Sequence, residues 1–343
     1  MTKRYILSID GGGVRGIVAA VLLEALEEER RAQGTTRPFA DCFDLIAGTS
    51  TGAIVAASLA SPNENGDGPL ATPGDLRALY RNNARKIFPT NFWRKIPLLG
   101  RLPQFFGPLY ASEPLVGVLN SVLGATDFCD LRRNLLISSY AIEPRGTAFF
   151  RGGPDYHAAT LPPEVTKPAD GVSVVDAVAG SAAAPTFFPP RKITNSRTNE
   201  TTTVIDGGVF LNDPSMLALA DAVMLFPDDD IHVISIGTGR DIDPYPYERA
   251  RRWGFLQWLA PAGRFRTPLI SSISDGQARA VSAQMKKLLG DNYHRFDYDL
   301  TKGYGSSALD DASPRNLKQL EAGALKMAEK MRSRLRELAA LLQ

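Results

Sequence analysis

Apolar positions in this chain fall into two kinds of segment. Short apolar runs end at Gly, Asp or Ser, and longer segments between them carry apolar residues at helical spacing. Tyr5 to Ile9 is the first run. It stops at Asp10 and three glycines, as a buried strand entering a turn would. Val14 to Arg31 follows with helical spacing, acids and arginines gathering toward its end. Phe43 to Ala47 predicts a second strand and Ala53 to Ala60 a buried helix. "LLISSYAI" (135–142) and "TAFFR" (147–151) read as paired strands. Ser173 is placed to cap a helix over "VVDAVAGSAAA", which Pro185 ends. "TTVID" (202–206) and "IHVISIG" (231–237) predict two further strands, with a helix from Pro214 to Phe226 between them, and "NYHRFDYDL" predicts a late one. Ser313-Pro314 opens a last helix over about 314–342, serine as cap and proline at the first helical position. Its apolar residues Leu317, Leu320, Ala324, Met327, Met331, Leu335, Leu338 and Leu342 step by three and four. Strands alternating with helices predict an α/β fold with a largely parallel central sheet. Ligand sites in such sheets lie at the carboxyl ends of strands. Asp10, Ser50 and Asp206 all fall at such ends.

Composition narrows the class. No Ser/Gly tract, charge block or repeat divides the 343 residues, so a single domain over 1–343 with long insertions is expected. A formal net charge of +2 gives no reason to expect a nucleic-acid partner. Cys42 and Cys129 sit beside apolar residues without C-x-x-C spacing, and nothing in them calls for an oxidising compartment. The opening "MTKRYILSIDGGG" is too short in apolar residues for a signal peptide, and no stretch reaches the ~18 needed to span a membrane. A soluble, cytoplasmic protein is expected.

Candidate chemistry begins with "FDLIAGTSTGAIVAA" (43–57). Gly48-Thr49-Ser50-Thr51-Gly52 is the G-x-S-x-G pattern of a nucleophilic serine on a tight strand-to-helix turn. Gly48 and Gly52 would remove side chains where strand and helix press together. Gly11, Gly13 and Gly16 satisfy G-x-G-x-x-G after a strand and before a helix. A dinucleotide site would need an acid at the end of the next strand, but Glu27, Glu28 and Glu29 lie inside the helix. A P-loop fails because no Gly-Lys-Ser/Thr follows. What remains is a loop whose backbone N–H groups sit at a helix N-terminus, suited to a developing negative charge. A plain tight turn would use the same residues. A serine needs a base. His157 lies in a polar loop, His232 opens a strand at the wrong end, and His294 stands beside Arg295. Asp206 ends a strand and is followed by Gly207 and Gly208, so its carboxylate can reach out of the sheet, although Asp-Gly is also a common turn pair.

Taken in order, "DGGGVRG" (10–16), "GTSTG" (48–52) and "DGG" (206–208) resemble the motifs of the patatin-like phospholipases, bacterial type. "SAAAPTFFPP" (181–190), "SIGTG" (235–239) and Asn212-Asp213-Pro214 are similar to that family's accompanying segments. The resemblance spans residues 5 to about 240. It implies a three-layer α/β/α fold and a Ser–Asp dyad without histidine. Ser50 would be the nucleophile and Asp206 the base, with Gly11, Gly12, Gly13 and the backbone around Arg15 as oxyanion hole. It implies hydrolysis of carboxylic esters of phospholipids and related lipids through an acyl-serine intermediate, with no metal and no cofactor. Some bacterial members are anti-phage effectors switched on by a cyclic nucleotide, a role the motifs do not decide. A non-catalytic storage or binding protein on the same scaffold is the main alternative.

A lipid substrate implies contact with a membrane surface. Residues 76–112 hold seven Lys/Arg and no Asp or Glu, interleaved with Phe88, Phe92, Trp93, Phe105, Phe106 and Tyr110 and broken by Pro97, Pro103 and Pro108. That pattern suits a surface lid. "RRWGFLQWLAPAGRFR" (251–266) is a second candidate. Aromatics packed on the core beside solvated arginines would give the same pattern.

Overall fold

The apolar runs become the interior strands of one eight-stranded sheet. The computed structural model describes residues 1–89, 107–159, 168–259, 268–300 and 304–343. Its elements are β1 (Lys3–Ile9), α1 (Gly16–Ala32), β2 (Leu45–Thr49), α2 (Thr51–Ala60), α3 (Pro73–Ile87), α4 (Glu113–Leu123), β3 (Asn134–Ala141), β4 (Gly146–Gly152), α5 (Pro154–Ala158), α6 (Val174–Ser181), β5 (Arg191–Thr194), β6 (Thr201–Asp206), α7 (Ser215–Leu225), β7 (Asp230–Ile236), β8 (Arg240–Asp241), α8 (Tyr247–Ala250), α9 (Phe255–Leu259), α10 (Pro268–Leu289), β9 (Tyr293–Phe296), β10 (Asp299–Leu300), α11 (Pro314–Lys330) and α12 (Arg332–Leu341). Strand order is β5-β6-β3-β2-β1-β7-β9, with β4 on the outer edge of β3. β3, β2, β1, β7 and β9 run parallel. β4, β5 and β6 form antiparallel pairs.

The central strands read as continuous apolar runs because both faces of the sheet are covered. Leu7, Ile9 and Ile46 pack with α1, α2 and the C-terminal helices. Ile6, Leu45 and Ala47 pack on the opposite face with Ala218 and Ala222 of α7 and Val281 and Met285 of α10. The sheet is therefore the middle of three layers.

Several expectations change in detail. β2 runs to Thr49, so the G-x-S-x-G serine stands directly after the strand. "NYHRFDYDL" is two strands: β9 in the main sheet and β10, which pairs with β8. The last helix is broken at Met331 into α11 and α12, both packed on α1. A straight helix over 314–342 would run to about 43 Å, far longer than the 17-residue α1 it covers. Arg30, buried in α1, donates to the Leu342 carbonyl at 2.7 Å and holds the chain end down.

The expected lid over 76–112 is core at both of its ends. Leu76, Tyr80, Ala84 and Ile87 of α3 are buried at helical spacing. Thr72 and Asp75 form a capping box that starts α3. Phe88 packs edge-on against Tyr110 at 5.4 Å, and Phe188 lies 5.8 Å from Phe88. Phe92, Trp93, Pro97, Pro103, Phe105 and Phe106 lie outside the described residues, as do 260–266 of the second candidate.

Candidate active site

Two strands meet head-on to make the site. β4 occupies one edge of β3 from Leu135 to Ala141. The other edge is shared, with β2 along Asn134–Ser138 and β6 along Ser139–Ala141. β2 is parallel to β3 and β6 antiparallel, so their carboxyl ends point at each other. Thr49 faces Ser138 and Asp206 faces Ser139. The next residue after β2 is Ser50, whose Oγ donates to Asp206 Oδ2 at 2.6 Å.

Ser50 holds φ 54° and ψ −122° between β2 and α2. A positive φ costs a non-glycine residue on the order of 1–3 kcal/mol and survives only where its surroundings enforce it. The enforcement is visible in two glycines. A Cβ on Gly48 would lie 2.3 Å from the Gly52 carbonyl oxygen, and one on Gly52 would lie 2.2 Å from that of Ile9. Below the turn, the Ser50 N–H donates to Ser181 Oγ at 2.9 Å, and Ser181 donates to the Ser138 carbonyl at 2.6 Å. Thr49 and Ser138 share a hydroxyl bond of 2.7 Å. Ser138 and Ser181 were not singled out from the sequence, although Ser181 opens "SAAAPTFFPP".

Asp206 is buried, and the Gly208 N–H donates to its Oδ1 at 2.7 Å. Burial pushes its carboxyl up to about 6, against the pull of the bonds from Ser50 and Gly208. Gly207 opens the one-turn helix that brings the Gly208 N–H around. The three histidines are elsewhere. His157 bonds Asp170 at 2.7 Å, His232 bonds Asp230 at 3.1 Å, and His294 stacks on His232 with centroids 6.2 Å apart.

The glycine loop lies beside Ser50, with Gly11 against it: a Cβ there would approach Ser50 Cβ to 3.3 Å. Not all four expected donors are open. The Gly11 N–H donates to the Asn212 carbonyl at 3.0 Å and the Arg15 N–H to the Gly12 carbonyl at 3.1 Å. A committed N–H cannot also face an oxyanion, so among the described residues the N–H groups of Gly12 and Gly13 are the ones left without a backbone acceptor. The Thr51 N–H, at the first position of α2, joins them by position.

A largely buried arginine anchors this loop. Arg295 on β9 donates to both oxygens of Asp10, at 2.8 and 2.6 Å, and to Asp213 at 3.2 Å, Asp297 at 3.0 Å and Ser235 at 2.7 Å. Burial holds Asp10 well above the usual carboxylate range while Arg295 pulls it down. Asp213 in turn accepts the Ser215 N–H at the start of α7. Thr238 donates to the Gly11 carbonyl at 2.6 Å, which explains "SIGTG" as support for the glycine loop. Glu27 and Glu29, the acids a dinucleotide site would have used, pair instead with Arg31 and with Arg332 and Arg336.

The patatin-like phospholipase family model matches residues 7–219. The chain is 34% identical to patatin-like protein 1 of Arabidopsis thaliana, over 95% of this chain and 80% of that protein. The chain belongs to the patatin-like phospholipase family. Another relative, the probable inactive patatin-3-Kuras 1 of Solanum tuberosum, is 30% identical over 91% of this chain and 83% of its own length. These relatives are plant proteins and do not speak for the bacterial type. Among solved structures, VipD from Legionella pneumophila aligns with 95% of this chain and 67% of its own at 13% identity and a TM-score of 0.43, too distant to bear on activity. The fold is the patatin α/β fold with a mostly parallel central sheet, and the family is that of lipid acyl hydrolases. Among the described residues no helix is long and apolar enough to cross a membrane.

Proposed function

We propose that this patatin-like chain hydrolyses carboxylic esters of phospholipids or related lipids through an acyl-Ser50 intermediate, with Asp206 as base and no histidine. The observation that carries the reading is the 2.6 Å bond from Ser50 Oγ to Asp206 Oδ2 on a strained elbow. Ser50 Oγ attacks the acyl carbon while its proton passes to Asp206. The ester carbonyl becomes an oxyanion facing the N–H groups of Gly12, Gly13 and Thr51. As the intermediate collapses, Asp206 returns the proton to the departing alcohol. Water then adds to the acyl-enzyme by the same route, Asp206 taking its proton and returning it to Ser50 Oγ as the fatty acid leaves. A carboxylate with a pKa of about 6 stays ionised at neutral pH and accepts a proton far better than an ordinary aspartate.

One relative is named a probable inactive patatin, so membership alone does not decide activity; the intact, hydrogen-bonded dyad is what favours it here. The test is fatty-acid release from a panel of phospholipids and neutral lipid esters by wild type and Ser50→Ala, each with and without cyclic nucleotides. Release by wild type and background release by Ser50→Ala are expected. A folded Ser50→Ala that retains more than a few per cent of activity overturns the assignment. Release only with an added nucleotide would assign the switched effector role.

A further inference from the structure

Exposed apolar side chains are not spread evenly over this protein. Ten large hydrophobic residues stand exposed among the described residues, and five of them, Ile242, Tyr247, Phe255, Leu269 and Ile273, fall between 242 and 273. Tyr247 is 73% exposed and Phe255 78%, positions where a lone aromatic in water gains nothing. The segments that carry them form one surface. Tyr245 packs edge-on against Trp253 at 5.5 Å, and Trp253 against Trp258 at 5.0 Å. The Tyr245 hydroxyl lies against Ser271 and Ser272 near the start of α10, and α9 packs on α10.

The same surface carries a small excess of positive charge. Between 242 and 259 stand Arg249, Arg251 and Arg252 against Asp243 and Glu248. Arg251 pairs with Glu248 at 3.1 Å, while Arg249 and Arg252, both exposed, make no ion pair among the described residues. Tryptophan and tyrosine beside exposed arginines suit the boundary between lipid headgroups and acyl chains.

The surface also connects to the dyad. Leu269, Ile273 and Gln277 follow at i, i+4 and i+8 on one face of α10. Gln277 accepts the Asn212 N–H at 2.5 Å and donates to the Phe210 carbonyl, holding the loop after Asp206 by its backbone. Asn212 is the residue whose carbonyl holds Gly11. The exposed stripe of α10 thus begins about two helical turns from a side chain bonded to the site's own loop.

We propose that α8, α9 and the first two turns of α10 form the surface by which this protein docks on an anionic lipid bilayer, with Tyr247, Phe255, Leu269 and Ile273 entering the interface and Arg249 and Arg252 meeting lipid phosphates. The proposal rests on the lipid-hydrolase reading, since docking there sets the Gln277 side of the site against the substrate's own phase.

The test is flotation with vesicles of phosphatidylcholine alone and of phosphatidylcholine with phosphatidylglycerol, in a Ser50→Ala background so that no lipid is consumed. Binding is expected to favour the anionic vesicles and to weaken with salt. Tyr247→Ser with Phe255→Ser, and separately Arg249→Glu with Arg252→Glu, should each weaken it by about tenfold or more. The melting temperature should stay at that of the parent, because all four side chains are exposed. Either pair binding like the parent overturns the proposal. Equal binding to both vesicle types overturns the charge assignment. Self-association in sedimentation that Phe255→Ser dissolves would give the surface to a second copy of the chain instead. If wild type releases no fatty acid but the Ser50→Ala protein still binds anionic vesicles, the hydrolase reading falls and the docking surface stands.

Discussion

The two halves of the proposed dyad are brought together by opposite means. Ser50 is placed mainly by its neighbours in sequence, β2, Gly48, Gly52 and α2 within Leu45–Ala60, with two supports from outside, Ser181 on its N–H and the Ile9 carbonyl against Gly52. Asp206 and the glycine loop are placed by residues far away in the chain. β6 meets β2 along β3, Asn212 holds Gly11, Gln277 holds Asn212, and Arg295 fastens Asp10 to Asp213. A nucleophile must keep one strained geometry, which a local turn can enforce. A base and an oxyanion loop must meet that nucleophile from other parts of the sheet, which only long-range contacts can arrange.

That contrast can be broken by substitution. Asp206→Asn keeps the shape of the base but cannot accept the Ser50 proton. A loss of ~10²–10⁴-fold in turnover of a soluble ester is expected, with circular dichroism unchanged. Arg295→Met should act through the remote side. It leaves Asp10, Asp213 and Asp297 without their counter-charge, which costs on the order of 3–5 kcal/mol of stability by denaturant melts. Misplacing the glycine loop should also lower turnover per folded molecule by about 10²-fold. Arg295→Lys should recover part of the stability but less of the turnover, because an ammonium cannot grip both oxygens of Asp10. Full turnover in folded Arg295→Met would show that the loop holds its place without the anchor.

pH sharpens the same comparison. With the Asp206 pKa at about 6, activity should fall roughly tenfold per unit below pH 6, well above the fall expected for an ordinary aspartate. Its folded pKa lies above the unfolded value of 3.8. Its contribution to stability is therefore greatest below 3.8 and is lost as pH rises through about 6, where the buried carboxylate ionises. Asp206→Asn should therefore gain melting temperature relative to wild type between pH 4 and pH 8. A constant difference would remove burial as the cause. The smallest effect belongs to the histidines. His157→Ala, which releases one oxygen of Asp170 while Arg197 keeps the other, should keep turnover within about twofold; a loss matching that of Asp206→Asn would put a histidine back in the mechanism.

The chain alone determined the parts whose causes are local. Strand and helix alternation, the elbow glycines and the positions of Ser50 and Asp206 at strand ends follow from apolar spacing and turn residues, which act over a few positions. The expected reason for their meeting was incomplete. A parallel sheet gathers carboxyl ends on one edge, yet Asp206 arrives on an antiparallel strand that meets β2 head-on, and strand direction is not written in a five-residue apolar run. Arg295 showed only as the residue beside His294, because a charge in a strand looks exposed until Asp10 and Asp213 from other segments close on it beside its own neighbour Asp297. The proposed oxyanion donors narrowed for the same reason: Gly11, Gly12 and Gly13 are equivalent as sequence, and it is the Asn212 carbonyl across the site that takes the N–H of Gly11. Tertiary structure decided these points because hydrogen bonding and burial depend on partners far away in the chain, which local spacing does not encode.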